Sequence, residues 1–110
     1  MKVFLIGFMG SGKTTAGKKL AAHLNRPFID LDHVFERRYG STIEAYFALY
    51  GEDAFRRAES ELLKTTAYPD DAIISTGGGA PCFFDNIEWM NSQGLTIYIE
   101  LPVKVLADRL

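Results

Sequence analysis

The feature that most constrains this chain is a glycine-rich stretch that follows its first apolar run. Residues 7–14 read Gly-Phe-Met-Gly-Ser-Gly-Lys-Thr and fit the pattern G-x-x-x-x-G-K-[ST]. Residues 3–6 are typical of a buried strand, and a helical pattern begins near Lys13. A loop between a strand and a helix can direct its backbone N–H groups at an anion at the helix N-terminus. The motif therefore predicts a phosphate-binding loop.

The same motif assigns two side chains to a nucleoside triphosphate and its metal. Lys13 is expected to reach the β- and γ-phosphates, and the Thr14 hydroxyl is expected to ligate Mg²⁺. The alternatives are a glycine-rich turn that binds nothing and a signal peptide. The glycines and Lys13 argue against a signal peptide because they interrupt the apolar run.

Composition is that of an ordinary globular protein. The chain has 110 residues, 47% hydrophobic and 24% charged, so we expect one domain over residues 1–110. Its net charge of −2 provides no field for nucleic acid or an anionic membrane, and no segment is long enough to span one. The single cysteine excludes an intrachain disulfide and suits a reducing cytosol. We therefore expect a cytoplasmic protein that binds neither nucleic acid nor membrane.

Strand and helix patterns alternate along the chain. Strands are predicted over residues 2–6, 27–30, 72–76 and 95–101. Helices are predicted over residues 13–24, 34–39, 42–50, 52–67, 85–93 and 103–110. The alternation predicts a three-layer α/β/α fold with a parallel sheet of four strands. Ligands in such sheets bind outside the carboxyl ends of the strands, where the glycine-rich loop, Asp30 with Asp32, and residues 77–79 fall.

Two of the predicted helices have recognisable apolar faces. A capping-box spacing at residues 41–44 predicts that the first begins at Thr42. Its buried residues would be Ile43, Phe47 and Tyr50. The second is the helix predicted over residues 52–67, whose inner face would consist of Phe55, Ala58, Leu62 and Leu63.

Asp30 and Asp32 are two residues apart and would project to the same side if the strand continues through both. One carboxylate beside a phosphate loop indicates Mg²⁺ or its waters. A second indicates a group that holds, and deprotonates, an acceptor hydroxyl. The alternative is that Asp32 caps a helix and Asp30 is solvated.

Three further groups have both a functional and a structural interpretation. Of Arg56 and Arg57, at most one should face the cleft, where it would hold a carboxylate; otherwise both pair with Glu52, Glu59 or Glu61. Residues 77–79, all glycine, form a loose turn or let a ligand approach the backbone. A structural role is expected for His23, His33, Cys82 and Trp89, with no second metal ligand near either histidine.

Four stretches together resemble the shikimate kinase family and span the length of the chain. They are GFMGSGKTT at 7–15, FIDLD at 28–32, GEDAFRRAE at 51–59 and STGGGA at 75–80. Many nucleotide-binding families share the first, but the ordered combination is far more specific. The resemblance implies a P-loop kinase that uses ATP and Mg²⁺ to phosphorylate the 3-hydroxyl of shikimate, a step of aromatic amino-acid biosynthesis.

Carried over residue by residue, the resemblance also implies a set of site residues. Lys13 and Asp32 would be catalytic, Asp32 as the candidate base, and Thr14 and Asp30 would hold Mg²⁺, Asp30 through water. Arg56 would take the shikimate carboxylate, and Glu59 would orient nearby polar groups. The nucleotide would contact Gly10, Ser11, Gly12, Lys13, Thr14, Thr15 and Arg109, the last beside the adenine. Shikimate would contact Asp32, Phe55, Arg56, Gly77, Gly78 and Gly79.

The resemblance has one departure. Family members continue beyond this point with a mobile lid, a second carboxylate-binding arginine, a fifth strand and a final helix. We therefore expect the N-terminal part of a longer family domain, truncated to four strands, whose activity without a lid stays open. Another small-metabolite kinase, such as a gluconate kinase, and a non-catalytic nucleotide-binding fragment also stay open. We expect a monomer.

Overall fold

The computed structural model of this chain describes residues 1–7, 13–77 and 79–99. The predicted helix over residues 103–110 lies outside them. The strands are β1 (Lys2–Ile6), β2 (Phe28–Asp30), β3 (Ile73–Ser75) and β4 (Gly94–Tyr98). The helices are α1 (Lys13–Leu24), α2 (Leu31–Tyr39), α3 (Ile43–Tyr50), α4 (Glu52–Thr65) and α5 (Asn86–Gln93), and a 3₁₀ turn spans Ala80–Cys82.

The four strands form one parallel sheet in the order β2-β3-β1-β4. Phe4 in β1 lies between Ile74 of β3 and Thr96 of β4, so β1 is paired on both sides. Phe4, Ile73 and Ile74 are fully buried, as expected for parallel strands covered on both faces. The predicted α/β fold with a parallel four-stranded sheet is confirmed.

Successive residues of β1 enter different layers of the core. Phe4 packs with Leu63 and Met90 on one face of the sheet, while Val3 and Leu5 pack with Ala21 of α1 on the other. This division follows from the two-residue period of a strand. Helices therefore cover both faces, which gives the three predicted layers.

Helix α1 packs unusually close to the sheet at Gly17. A Cβ at this position would come within 2.5 Å of Cε1 of Phe28 and 2.9 Å of Cδ1 of Leu5. Only glycine allows this approach without displacing one of the two side chains. The close contact fixes the helix that begins directly after the glycine-rich loop.

A separate apolar cluster joins the three helices between β2 and β3. Its buried members are Phe35, Phe55, Ala58 and Leu62. The rings of Phe35 and Phe55 are 5.2 Å apart in an edge-to-face arrangement, which is favourable for aromatic pairs. The predicted inner face of α4, namely Phe55, Ala58, Leu62 and Leu63, is confirmed as buried.

Helix α3 differs from its prediction in start and burial. It begins at Ile43, and the cap is Thr42, whose Oγ1 accepts a hydrogen bond of 3.1 Å from the N–H of Ala45. The prediction of a buried stripe at Ile43, Phe47 and Tyr50 is wrong, because none of these is buried and Tyr50 is 58% exposed. Among the described elements, the helix packs against α2 and α4, and its apolar residues are half-buried or exposed.

The structure has no helix, among the residues it describes, with the length and apolar character needed to cross a membrane.

Candidate functional site

Asp30 and Asp32 have different environments, because β2 ends between them. Asp30 is the last residue of β2, and α2 begins at Leu31. The Asp30 carboxylate accepts a 3.0 Å hydrogen bond from the N–H of Asp32 and caps the helix. The expectation that both side chains project from one strand is therefore wrong, and the capping residue is Asp30 rather than Asp32.

Helix α4 directs Arg56 toward the space beside Asp32 and leaves Arg57 outside. The Arg56 side chain is only 17% exposed, whereas Arg57 is exposed, which confirms that one of the pair faces inward. Arg56 Nη1 donates a 2.9 Å hydrogen bond to Glu59 Oε1, and Nε lies 3.9 Å from Glu52 Oε2. Among the described residues, the buried Nε makes no hydrogen bond. The guanidinium therefore retains donor capacity on a largely desolvated face.

Burial raises the pKa of Glu59 above its ordinary value, and the nearby negative charge of Asp32 adds to this effect. The hydrogen bond and positive charge of Arg56 oppose it. Glu59 is 8% exposed. The helical pattern of the sequence does not reveal that its carboxylate is buried. The spacing of three residues from Arg56 does indicate that the two side chains lie on one face of the helix.

The segment after β3 approaches these side chains closely at two glycines. A Cβ at Gly77 would come within 2.6 Å of Glu59 Oε2 and 3.2 Å of Asp32 Oδ1. A Cβ at Gly79 would come within 2.7 Å of Arg56 Nη2. The described glycines of this segment therefore pack closely against side chains of this protein, and the approach of a ligand to their backbone stays a prediction. Gly78 lies outside the described residues.

A cavity of about 680 Å³ opens at this point. Asp32, Phe55, Arg56, Glu59, Gly77 and Gly79 are among its lining residues. The cavity lies at the carboxyl edge of the sheet, where ligands of parallel α/β folds bind. Its lining combines the Arg56 guanidinium and an aromatic wall with four carboxyl side chains, those of Asp32, Glu36, Glu44 and Glu59. The guanidinium can bind an acidic group of a ligand, and the carboxyl groups can accept hydrogen bonds from its hydroxyls.

The remaining predicted site residues belong to the glycine-rich loop and the end of the sequence. Gly10, Ser11, Gly12 and Arg109 lie outside the described residues. The strand before the loop ends at Ile6 and α1 begins at Lys13, so the predicted flanks are confirmed. Thr15 lies exposed in the first turn of α1.

Of the four residues for which a structural role was expected, three are exposed and one is partly buried. His23 and His33 are exposed, and the described part of the chain contains no group of three potential metal ligands from His, Cys, Asp and Glu. Trp89 is partly buried against Phe4, with ring centroids 5.8 Å apart. Cys82 is exposed rather than packed, because the unpredicted 3₁₀ turn carries it to the surface.

A parallel sheet whose β1 is followed by the G-x-x-x-x-G-K-[ST] motif, with an acid-lined cavity at its carboxyl edge, is typical of the P-loop kinase fold. The chain belongs to the shikimate kinase family, since the model of the shikimate kinase family matches residues 9–110.

Individual relatives agree with this assignment. A shikimate kinase of Parabacteroides distasonis is 52% identical over 109 residues, which are 99% of this chain and 63% of the relative. The crystal structure of shikimate kinase from Bacteroides thetaiotaomicron is 47% identical with a TM-score of 0.91, and covers all of this chain. A structure from Acinetobacter baumannii, solved in complex with shikimate, is 38% identical with a TM-score of 0.88 and covers 98% of this chain. This chain spans 62% and 60% of those two solved chains.

Proposed function

We propose that the protein transfers the γ-phosphoryl group of ATP to the 3-hydroxyl of shikimate, giving shikimate 3-phosphate and ADP. The observation that carries this proposal is the cavity in which Arg56, Asp32 and Gly79 meet at the carboxyl edge of the sheet. It lies on the same edge as the end of β1, from which the phosphate-binding motif continues. An acidic acceptor and a triphosphate can therefore meet there.

Arg56 binds the carboxylate of the acceptor in this proposal. Its Nη1 is engaged by Glu59, while its buried Nε makes no hydrogen bond among the described residues. A carboxylate in the cavity can accept from N–H groups of the guanidinium that Glu59 does not occupy. Phe55 forms the wall behind the guanidinium, with its ring centroid 5.1 Å from Arg56 Cζ. The ring of the acceptor would lie against the backbone of residues 77–79, that is Gly77, Gly78 and Gly79, in this proposal.

Asp32 holds the acceptor hydroxyls and acts as the base at the 3-hydroxyl. Its carboxylate lies close to the position a Cβ of Gly77 would occupy, on the cavity side of α2. Phosphoryl transfer depends mainly on positioning and on offsetting charge, so a base that orients the hydroxyl is well suited to the reaction.

The nucleotide is held by the backbone of Gly10, Ser11 and Gly12 and by Lys13 and Thr15, with Arg109 beside the adenine. Lys13 reduces the charge on the transferred phosphoryl group. The confirmed strand and helix that flank the motif support this assignment.

Mg²⁺ fits the residues available at this edge. Asp30 provides a carboxylate at the end of β2 and Thr14 a hydroxyl in the motif, and oxygen donors are what this ion prefers. The described residues offer no closed cluster of three protein ligands, which suits an ion held mostly by water and nucleotide. When bound, Mg²⁺ would offset the charge of the phosphates.

A coupled assay of the full-length protein tests the proposal by following ADP release with ATP and Mg²⁺. Turnover that requires shikimate is expected. Turnover of gluconate or a nucleoside monophosphate, without turnover of shikimate, would reject this acceptor. Nucleotide titration and a turnover assay of the 110-residue chain, run in parallel, distinguish an enzyme from a fragment. An enzyme binds nucleotide and turns it over, whereas a fragment only binds it. We further propose that the protein acts as a cytoplasmic monomer, which sedimentation and fractionation can test.

A further inference from the structure

Asn86, the first residue of α5, has a completely buried side chain outside the cavity. Its Oδ1 accepts a 2.6 Å hydrogen bond from the Oγ of Ser60, which is buried on α4. Its Nδ2 donates a 2.8 Å hydrogen bond to the carbonyl oxygen of Ala80. A buried amide is costly unless its polar atoms are paired, so these two bonds fix the distance between α4 and Ala80.

The turn that contains Ala80 is held at both ends by backbone hydrogen bonds. The N–H of Ala80 donates to the carbonyl of Gly77 at 3.1 Å, and the N–H of Phe83 donates to the carbonyl of Ala80 at 3.3 Å. The N–H of Asn86 donates to the carbonyl of Phe83, also at 3.3 Å. Asn86 therefore holds the turn through its side chain and through its backbone.

This turn contacts the guanidinium of Arg56 at two places. The ring centroid of Phe83 lies 4.4 Å from Arg56 Cζ, which is the geometry of a cation–π contact. Gly79 faces Nη2, since a Cβ there would lie only 2.7 Å from it. Glu59 is bonded to Nη1, and the ring centroid of Phe55 lies 5.1 Å from Cζ, so four described neighbours of the guanidinium are Glu59, Phe55, Phe83 and Gly79. Gly79 and Phe83 flank the turn directly on either side.

We propose that Phe83 and Asn86 are positioning residues for the carboxylate-binding Arg56. Phe83 restrains the guanidinium plane directly, and Asn86 acts through the turn, from a position that does not line the cavity. This inference rests on the proposed function and deepens it, because it names residues that set the affinity of the same site for its acidic substrate. It predicts that both affect the acid substrate selectively and leave the nucleotide unaffected.

The first test needs no substrate. Nitrogen-15 spectra of the arginine side chains in the full-length protein should show a slowly exchanging Nε–H for Arg56. Phe83→Leu keeps apolar volume but removes the aromatic face, and should speed this exchange by about tenfold or more. The matched control is Phe84→Leu, whose ring is 60% exposed. Equal exchange rates in wild type and Phe83→Leu would overturn the proposal.

The second test is kinetic. In Phe83→Leu, the KM for shikimate should rise by about fivefold, with the KM for ATP unchanged and kcat within about twofold. Asn86→Ala should act in the same direction, and Asn91→Ala, exposed on the same helix, is its control. If Asn86→Ala does not fold, Phe83→Leu carries the test by itself. An unchanged KM for shikimate, or an equal rise in both KM values, would contradict the proposal.

The two tests separate this inference from the proposed function. If wild-type protein does not phosphorylate shikimate, the proposed function is wrong, and the exchange measurement still decides whether Phe83 restrains Arg56. If shikimate is turned over and neither variant changes its KM, the positioning role is rejected while the proposed function stands.

Discussion

Arg56 Nη1 donates a 2.9 Å hydrogen bond to Glu59 Oε1, less than one turn further along α4, and both side chains are largely buried. Burial, with a smaller contribution from the negative charge of Asp32, raises the pKa of Glu59 although Arg56 opposes the shift. A carboxyl group whose pKa is raised on folding stabilises the fold below its unfolded pKa. That contribution is lost as pH rises through the folded pKa.

Glu59→Gln should therefore become more stable relative to wild type as pH rises. The amide resembles the protonated carboxyl group, so the two proteins should differ least at low pH, where the Glu59 carboxyl group is protonated, and increasingly as pH rises. Urea unfolding at several pH values measures the difference in free energy of unfolding. Glu61→Gln, exposed on the same helix, should show no such trend. A difference that moves toward wild type with rising pH would refute the assignment.

Gly79→Ala should weaken binding of the acidic substrate by at least about tenfold, measured as the KM for shikimate. The backbone of Gly79 has φ of −97°, which alanine adopts readily, so the effect comes from the Cβ against Arg56 Nη2. Gly40→Ala is an informative control: Gly40 has φ of +63° and open space around it. That change should cost about 1 kcal/mol of stability and leave the KM unaltered. Unchanged KM values in both variants would exclude the predicted contact.

Asp32→Asn should lower kcat for shikimate by about a hundredfold or more, because asparagine preserves shape but cannot accept the proton of the hydroxyl. The KM for ATP should stay within about twofold, since Asp32 lines the acceptor cavity. Asp53→Asn, exposed at the start of α4, provides the control for loss of one negative charge. A variant that retains most of the wild-type kcat would show that Asp32 is not the base.

Gly17→Ala should destabilise the protein by about 1–3 kcal/mol, because the added methyl group must displace the ring of Phe28 or the side chain of Leu5. The sign is diagnostic, since alanine in a helix interior normally stabilises by about 1 kcal/mol relative to glycine. Urea unfolding measures the change. Ala22→Ser, exposed on the same helix, should differ from wild type by less than about 0.5 kcal/mol. A stabilised Gly17→Ala protein would show that Phe28 and Leu5 accommodate the added methyl group without an energetic cost.

Local patterns predicted the elements on which the site is built. The apolar run at residues 2–6 and the helical spacing at 13–24 have the same bounds in the structure as β1 and α1. Both are determined by neighbouring residues, through burial on two faces in one case and an amphipathic period in the other. The close contact of Gly17 with Phe28 was not predicted, because it depends on how the helix crosses the sheet.

The polar parts of the site were harder to predict, because burial of a polar group depends on distant partners. The capping role of Asp30 was not predicted, because it depends on β2 ending at Asp30 and α2 beginning at the next residue, Leu31. Asn86 had no signal of its own, and its burial depends on Ser60 and Ala80, which approach it only in the folded chain. Pro81 lies in the first positions of the 3₁₀ turn, where proline is favoured, so this residue could have indicated the turn.

Helices α2, α3 and α4 lie in the connection between β2, which ends at Asp30, and β3, which begins at Ile73. These two strands pair with each other in the sheet. A segment whose two ends are held together by the sheet can change length or sequence at little entropic cost to the rest of the chain. Under the proposed function, Phe55 and Arg56 in this segment belong to the acceptor side of the cavity. Substitutions at these residues would alter that side while strand register and the nucleotide motif stay as they are.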